Sequence, residues 1–160
     1  MLLTGYGPDE RPVLLAGDLN GTASGQHWPQ RDWPACPYPL RLAKGRQQPD
    51  GSWTADTSAV DHLIGRWDPA TQRRCEGAGF HALPDLAMQQ GTPQQQAMRP
   101  TVNSPVDRGG ELIIDLMLIN DTWLHAGGLV PGSYQVHLPP PGRTYPQSWW
   151  FDHRLATATL

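Results

Sequence analysis

The chain has 160 residues, 38% of them hydrophobic, with 17 prolines and 17 glycines. That is enough for one domain with a core, and the proline and glycine content points to a loop-rich mixed architecture rather than a helical bundle. A net charge of −3 argues against the broad basic footprint with which proteins cover long nucleic acids, though not against one small phosphoester held by a local metal.

No apolar segment approaches a membrane span, and Met1–Gly5 is too short for a signal sequence. The cytoplasm is the default location, with secretion open if a leader has been lost. Cys36 and Cys75 have neither the number of a disulfide framework nor the spacing of a zinc site, and a single bridge between them stays open. The predominance of Arg over a single Lys, Lys44, reads as base composition rather than recognition.

Residues 1–10 read as a linker or helix end broken by Gly5, Gly7 and Pro8. Val13 to Ala16 is an unbroken apolar run, the pattern of a strand buried on both faces. Gly17 then allows a turn that presents Asp18 and Asn20 beyond the strand's end, which is either an Asx-type turn or the lip of a site. From Gly21 to about Thr54 five prolines predict a long irregular loop. Its Trp28 and Trp33 are expected to cover the sheet, with Arg41, Lys44 and Arg46 solvated; stacking of bases with phosphate contacts is the alternative.

Asp56 or Thr57 caps a predicted helix with Ala59, Val60, Leu63 and Ile64 on one face. Asp61 and His62 diverge by about 100° on that helix and read as surface or packing residues. Asp68-Pro69 predicts a second helix start, with an end near Gly77–Gly79. Pro84-Asp85 predicts another, and His81 reads as a half-buried packing residue. Gly91 to Arg99 is expected as loop, Pro100–Asn103 as a short strand and Asp107–Gly110 as a hairpin turn.

Glu111 to Ile119 is a second buried-strand pattern, interrupted by Asp115. A carboxylate in such a strand needs a partner, because an unpaired one would cost several kcal/mol. Asn120-Asp121-Thr122 matches a glycosylation sequon. Tyr134 to Leu138 is a further strand, with Tyr134, Val136 and Leu138 on one face. Trp149, Trp150 and Phe151 either dock substrate or plug a sheet edge. The chain closes on a short strand led by Asp152 and His153. If the first and last strands are antiparallel neighbours, Asp18, Asn20, Asp152 and His153 share one edge and Asp115 reaches His153.

The turn Gly17-Asp18-Leu19-Asn20, the strand Ile114-Asp115 and the terminal Asp152-His153 together resemble the last three motifs of the endonuclease/exonuclease/phosphatase superfamily, in the family's order. The resemblance covers that family's C-terminal half. The earlier Asn, metal-binding Glu and further His of a complete member have no counterpart here. Phe151 stands where Ser is usual, and Ile113 where Arg often is.

The resemblance implies an α/β fold, part of a two-sheet sandwich of DNase I-like type without its N-terminal half, with residues 1–160 as one partial domain. It implies a metal-dependent phosphoester hydrolase, a nuclease, phosphodiesterase or phosphatase, weak or inactive as a lone chain. Asp18 would be general base, Asn20 would orient water or phosphate, and His153 would serve the phosphoryl oxygens. Asp115 would orient His153, and Asp152 would ligate Mg²⁺ or Mn²⁺. The implied partners are a nucleic acid, lipid or small phosphodiester substrate and a missing half or second chain. The alternative is an inactive remnant that pairs with a partner through exposed strand edges.

Overall fold

The computed structural model describes residues 11–102, 112–138 and 153–160. In chain order the elements are β1 (Leu14–Asp18), α1 (Tyr38–Lys44), β2 (Gly45–Gln47), β3 (Trp53–Ala55), α2 (Ser58–Ile64), β4 (Arg66–Asp68), β5 (Arg73–Cys75), β6 (Phe80–Ala82), α3 (Leu83–Gln89), α4 (Gln94–Ala97), β7 (Asp115–Asn120), α5 (Asp121–His125), β8 (Gln135–Val136) and β9 (Ala156–Thr157). This is a mixed α/β fold with small antiparallel sheets. One sheet has the order β1-β7-β6, and β2-β3, β4-β5 and β8-β9 are two-stranded. Among the described residues no barrel closes, and no helix is long and apolar enough to cross a membrane.

β7 realises only the second half of the strand predicted over Glu111–Ile119, opening at Asp115 where that residue was expected mid-strand, and it is buried on both faces because its side chains alternate into two cores. Leu116 and Leu118 join Trp28, Val60 and Ile64 on one side; Ile119 joins Leu83, Leu86, Tyr134 and Val136 on the other. Leu118 and Ile119 are fully buried, each contributing about 1.5–3 kcal/mol relative to exposure.

β1 differs from its expected burial. Its residues are exposed except for half-buried Leu15, and Leu14 is 45% exposed. The reason is position: among the described residues β1 pairs with β7 alone and forms the sheet edge. Nor are the first and last strands neighbours, since β9 pairs with β8 and His153 bridges Val102.

The stretch 21–54 is not one irregular loop. It carries α1 and the β2-β3 hairpin, because Pro37 and Pro39 fall at the helix's cap and first turn, where a missing N–H costs nothing. Trp28 is buried in the core, as is Trp33 at 9% exposure. Asp68-Pro69 starts no helix. The Asp68 carboxylate accepts from Ala70 N–H and Thr71 Oγ1 and turns the β4-β5 hairpin. Gln94–Ala97, expected as loop, forms the short α4 behind Pro93. Both cysteines are free thiols, Cys36 buried and Cys75 exposed. The Asp107–Gly110 turn and Trp149–Phe151 lie outside the described residues.

A buried ionic knot ties the peripheral segments to α3. Asp85 Oδ1 accepts from His27 Nε2 and Trp28 Nε1, each at 3.0 Å, while Oδ2 accepts from Arg74 Nε at 2.5 Å. Arg74 also donates to Gly65 and Ser24 carbonyls, at 2.9 and 3.0 Å, and lies over the Trp28 ring. Burial pushes the Asp85 carboxyl up, but the His27 hydrogen bond and the Arg74 charge outweigh it and hold it below the usual carboxylate range. The charged carboxylate therefore stabilises the fold above the ordinary value of about 4, and this contribution is lost as pH falls through the lowered folded value. Asp85→Ala is expected to cost about 3–5 kcal/mol by urea unfolding at neutral pH, since it removes the closer of the two carboxylates against Arg74, leaving Asp61 at 3.6 Å, and takes away the acceptor of Trp28 Nε1. Asp85→Asn should flatten the acid limb of stability against pH; an unchanged acid limb would contradict this role.

Candidate functional site

β7 positions the site through its first residue. Antiparallel register places Asp18, the last residue of β1, opposite Asp115. Leu19 N–H donates to the Ile114 carbonyl at 2.9 Å, so the pairing carries one step past the strand end. Asn20 then enters the left-handed region, φ 51°, which Asn tolerates, and its N–H donates to Asp18 Oδ1 at 2.7 Å. The turn is thus an Asx turn and one wall of a site at once.

His153 arrives by a different route from the one expected. The segment Pro100–Val102 lies between it and the entry to β7. Thr101 N–H donates to Leu112 O at 2.8 Å, and the fully buried Thr101 hydroxyl accepts from the N–H groups of Ile114 and Asp115 at 3.1 and 3.0 Å. On its other side Arg154 N–H donates to Thr101 O at 2.6 Å, and Arg154 Nη1 to Pro100 O at 2.9 Å. His153 is thereby delivered to β7, its Nδ1 lying 2.8 and 2.9 Å from the two oxygens of Asp115. The Asp115 carboxylate accepts the Nδ1 proton and so fixes the tautomer and orientation of the ring.

Asp18, Asp115 and His153 each offer a ligand atom within 4.8 Å of the others. Two carboxylates and an imidazole suit a divalent cation, the carboxylates favouring Mg²⁺ or Mn²⁺. The fit has a reason in this structure, because carboxylates directly opposite across a strand pair repel and a cation between them removes the cost. Asp18 is exposed, while the Asp115 and His153 side chains are 24% and 30% exposed. Asp152 lies outside the described residues.

Asn20 belongs to the same edge, and Lys44 from the end of α1 donates to its backbone oxygen at 2.7 Å and to its side-chain oxygen. Lys44, expected as solvated with phosphate contact as the alternative, is therefore a neighbour of the site. Thr101 and Tyr134 are neighbours that residue pattern did not reveal. Burial, and then the Asp115 charge, raise the Tyr134 hydroxyl above its ordinary value, so it stays protonated near the carboxylate.

Asp56 is a further neighbour, its N–H donating to the Lys44 carbonyl at 3.0 Å, while Asp61, His62 and His81 stand apart. Asp61 accepts from Ser24 N–H and Oγ, at 2.9 and 3.0 Å, and serves packing. His62 is exposed on α2. His81 Nε2 meets Asp121 Oδ1 at 2.5 Å near the opposite end of β7. Asn120, the sequon residue, is fully buried and caps α5 by accepting from Trp123 N–H.

No family model, curated protein or solved structure matches the chain.

The cluster predicts Mn²⁺ binding with loss of the free-ion electron paramagnetic resonance signal. Asp18→Asn should weaken it by at least about tenfold, an effect that even supporting groups have at metal sites. Equal uptake by Asp18→Asn would exclude Asp18 as a ligand.

Proposed function

We propose that this chain is a metal-dependent phosphoester hydrolase related to the endonuclease/exonuclease/phosphatase superfamily, carrying the C-terminal part of a two-sheet α/β sandwich. What supports it is the convergence of Asp18, Asp115 and His153, from three separate segments, on one sheet edge. Asp18 and Asp115, with Asp152, would hold Mg²⁺ or Mn²⁺. A bound ion would supply charge relief on phosphoryl oxygens and a more acidic water.

The chain's own groups account for the rest. The Asp18 oxygen that does not receive the Asn20 N–H takes the proton of the attacking water. Asn20 and Lys44 present an amide and an ammonium where a phosphoryl oxygen can be held. His153, oriented through Nδ1 by Asp115, binds or protonates a phosphoryl oxygen or leaving group from Nε2. The phosphoester bond breaks as water adds to phosphorus, and the proton balance closes through Asp18 and His153.

With bis(p-nitrophenyl) phosphate and Mn²⁺, turnover is expected to be weak and abolished by EDTA. Asp18→Ala and His153→Ala should each reduce it at least about 100-fold, the lower range for a general acid or base. Turnover retained in both variants would overturn the assignment.

The exposed edge of β1 favours a second reading, an inactive module that pairs with a partner chain or missing half through that strand. It predicts no metal-dependent turnover and a solution mass above one chain. Ala16→Lys, which places a charge on the exposed edge, should return the mass to that of a monomer; an association indifferent to Ala16→Lys would rule out β1 as the contact.

A further inference from the structure

A cavity of about 230 Å³ opens directly beside the carboxylate pair. Leu19 and Ile114, the neighbours of Asp18 and Asp115 that hydrogen-bond to each other, both line it. So do Asn20 and Lys44, which are joined by the Lys44 ammonium. The wall is therefore continuous with the site, and its cationic corner sits on the turn that feeds Asp18.

The rest of the lining is chemically selective. Trp33 is nine-tenths buried, with the Arg31 guanidinium carbon 5.7 Å from its ring centre. Thr22 is 8% exposed, and its hydroxyl has no hydrogen-bond partner among the described residues. Buried hydroxyls are normally satisfied, so this one calls for a polar group from outside. Indole and guanidinium planes accept flat π-systems. An acyl chain would not satisfy the Thr22 hydroxyl, and a cyclitol would not exploit the planes. The volume lies below the range of about 300–1,000 Å³ usual for drug-sized ligands, which limits the occupant to one ring system with little attached.

We propose that this cavity seats the base of a nucleotide, with its phosphate at Asn20 and Lys44, so that the substrate is a mononucleotide-sized phosphoester. Catalytic use of the pocket rests on the hydrolase reading above, but occupancy does not. The net charge of −3 agrees with a single nucleotide rather than a long duplex.

The test is a calorimetric titration of the full chain in EDTA with adenosine 5′-monophosphate, ribose 5-phosphate and inorganic phosphate. Adenosine 5′-monophosphate should bind on the order of tenfold more tightly than ribose 5-phosphate, the contribution of one stacked base. Ala59→Phe fills the cavity from an exposed position on α2 and should remove that difference without lowering the melting temperature. Ala43→Leu, exposed on α1 and also lining the cavity, should do the same independently. Equal affinity for the nucleotide and the sugar phosphate, no nucleotide binding, or full nucleotide affinity in both filled variants would overturn the proposal. Absence of metal-dependent turnover in the diester assay would defeat the hydrolase reading and leave the titration standing.

Discussion

Two carboxylates face each other across the β1-β7 pair, and such opposition of like charges destabilises a strand pair unless something intervenes. Here the register is held from both ends of β7. At one end the buried Thr101 hydroxyl takes the N–H groups of Ile114 and Asp115. At the other, the Asn120 side chain accepts from Val13 N–H at 2.9 Å and donates to Arg11 O at 2.7 Å. A slip of one residue would break these contacts and turn Leu116 and Leu118 out of their core, so the pairing of Asp18 with Asp115 is fixed by packing on a scale larger than its own repulsion.

The imidazole of His153 is the group that relieves this opposition within the chain. It lies against both oxygens of Asp115, so part of the negative charge is met by an N–H, and the partner that a carboxylate in an apolar strand requires is supplied from a segment 38 residues away. The same contact explains why the terminal segment runs along Pro100–Val102 rather than along β1. His153 reaches Asp115 only from the side of β7 that Thr101 guards, while β1 occupies the other. One edge thus receives its acids from paired strands and its imidazole from a clamp.

Much of this was readable from residue pattern, and the failures have physical causes. An acid inside an apolar run demanded a partner, and β7 with Asp115 follows from that alone. The similar run Val13–Ala16 read as doubly buried because period and polarity cannot report whether a strand is central or at an edge; that depends on which neighbours the chain supplies. Proline was misread twice, in opposite senses. Pro37 and Pro39 open α1 where the run of prolines predicts irregular chain, and Pro69 follows an Asp whose carboxylate closes a hairpin rather than capping a helix. Both arrangements use the fixed φ of proline, and the local sequence does not distinguish a first helical turn from a turn between strands. Asn120 matched a sequon, yet its burial gives all its polar atoms to the backbone. The position of Lys44 on Asn20 and the burial of Thr22 arise from contacts between α1, the turn after β1 and the cavity wall, which residue pattern does not carry.

The charge of the whole chain and the charge at the edge point in different directions, and the difference is informative. A chain with net charge −3 attracts no polyanion over long range, yet its single lysine lies on Asn20, next to two acids that would otherwise repel a phosphate. On the proposed reading, recognition of a phosphoester comes from short-range terms: an ammonium, an amide, an imidazole and a cation that the carboxylates would hold. Short-range terms of that kind are worth most where water is excluded, and the wall of Trp33, Leu112 and Ile114 beside the turn provides such a boundary. On the same reading the exposed carboxylate of Asp18 marks the opposite limit, where the attacking water would enter. On the proposed reading, a site at the junction of that cavity and an exposed strand end holds the ring of a small substrate on one side and exposes its phosphorus on the other.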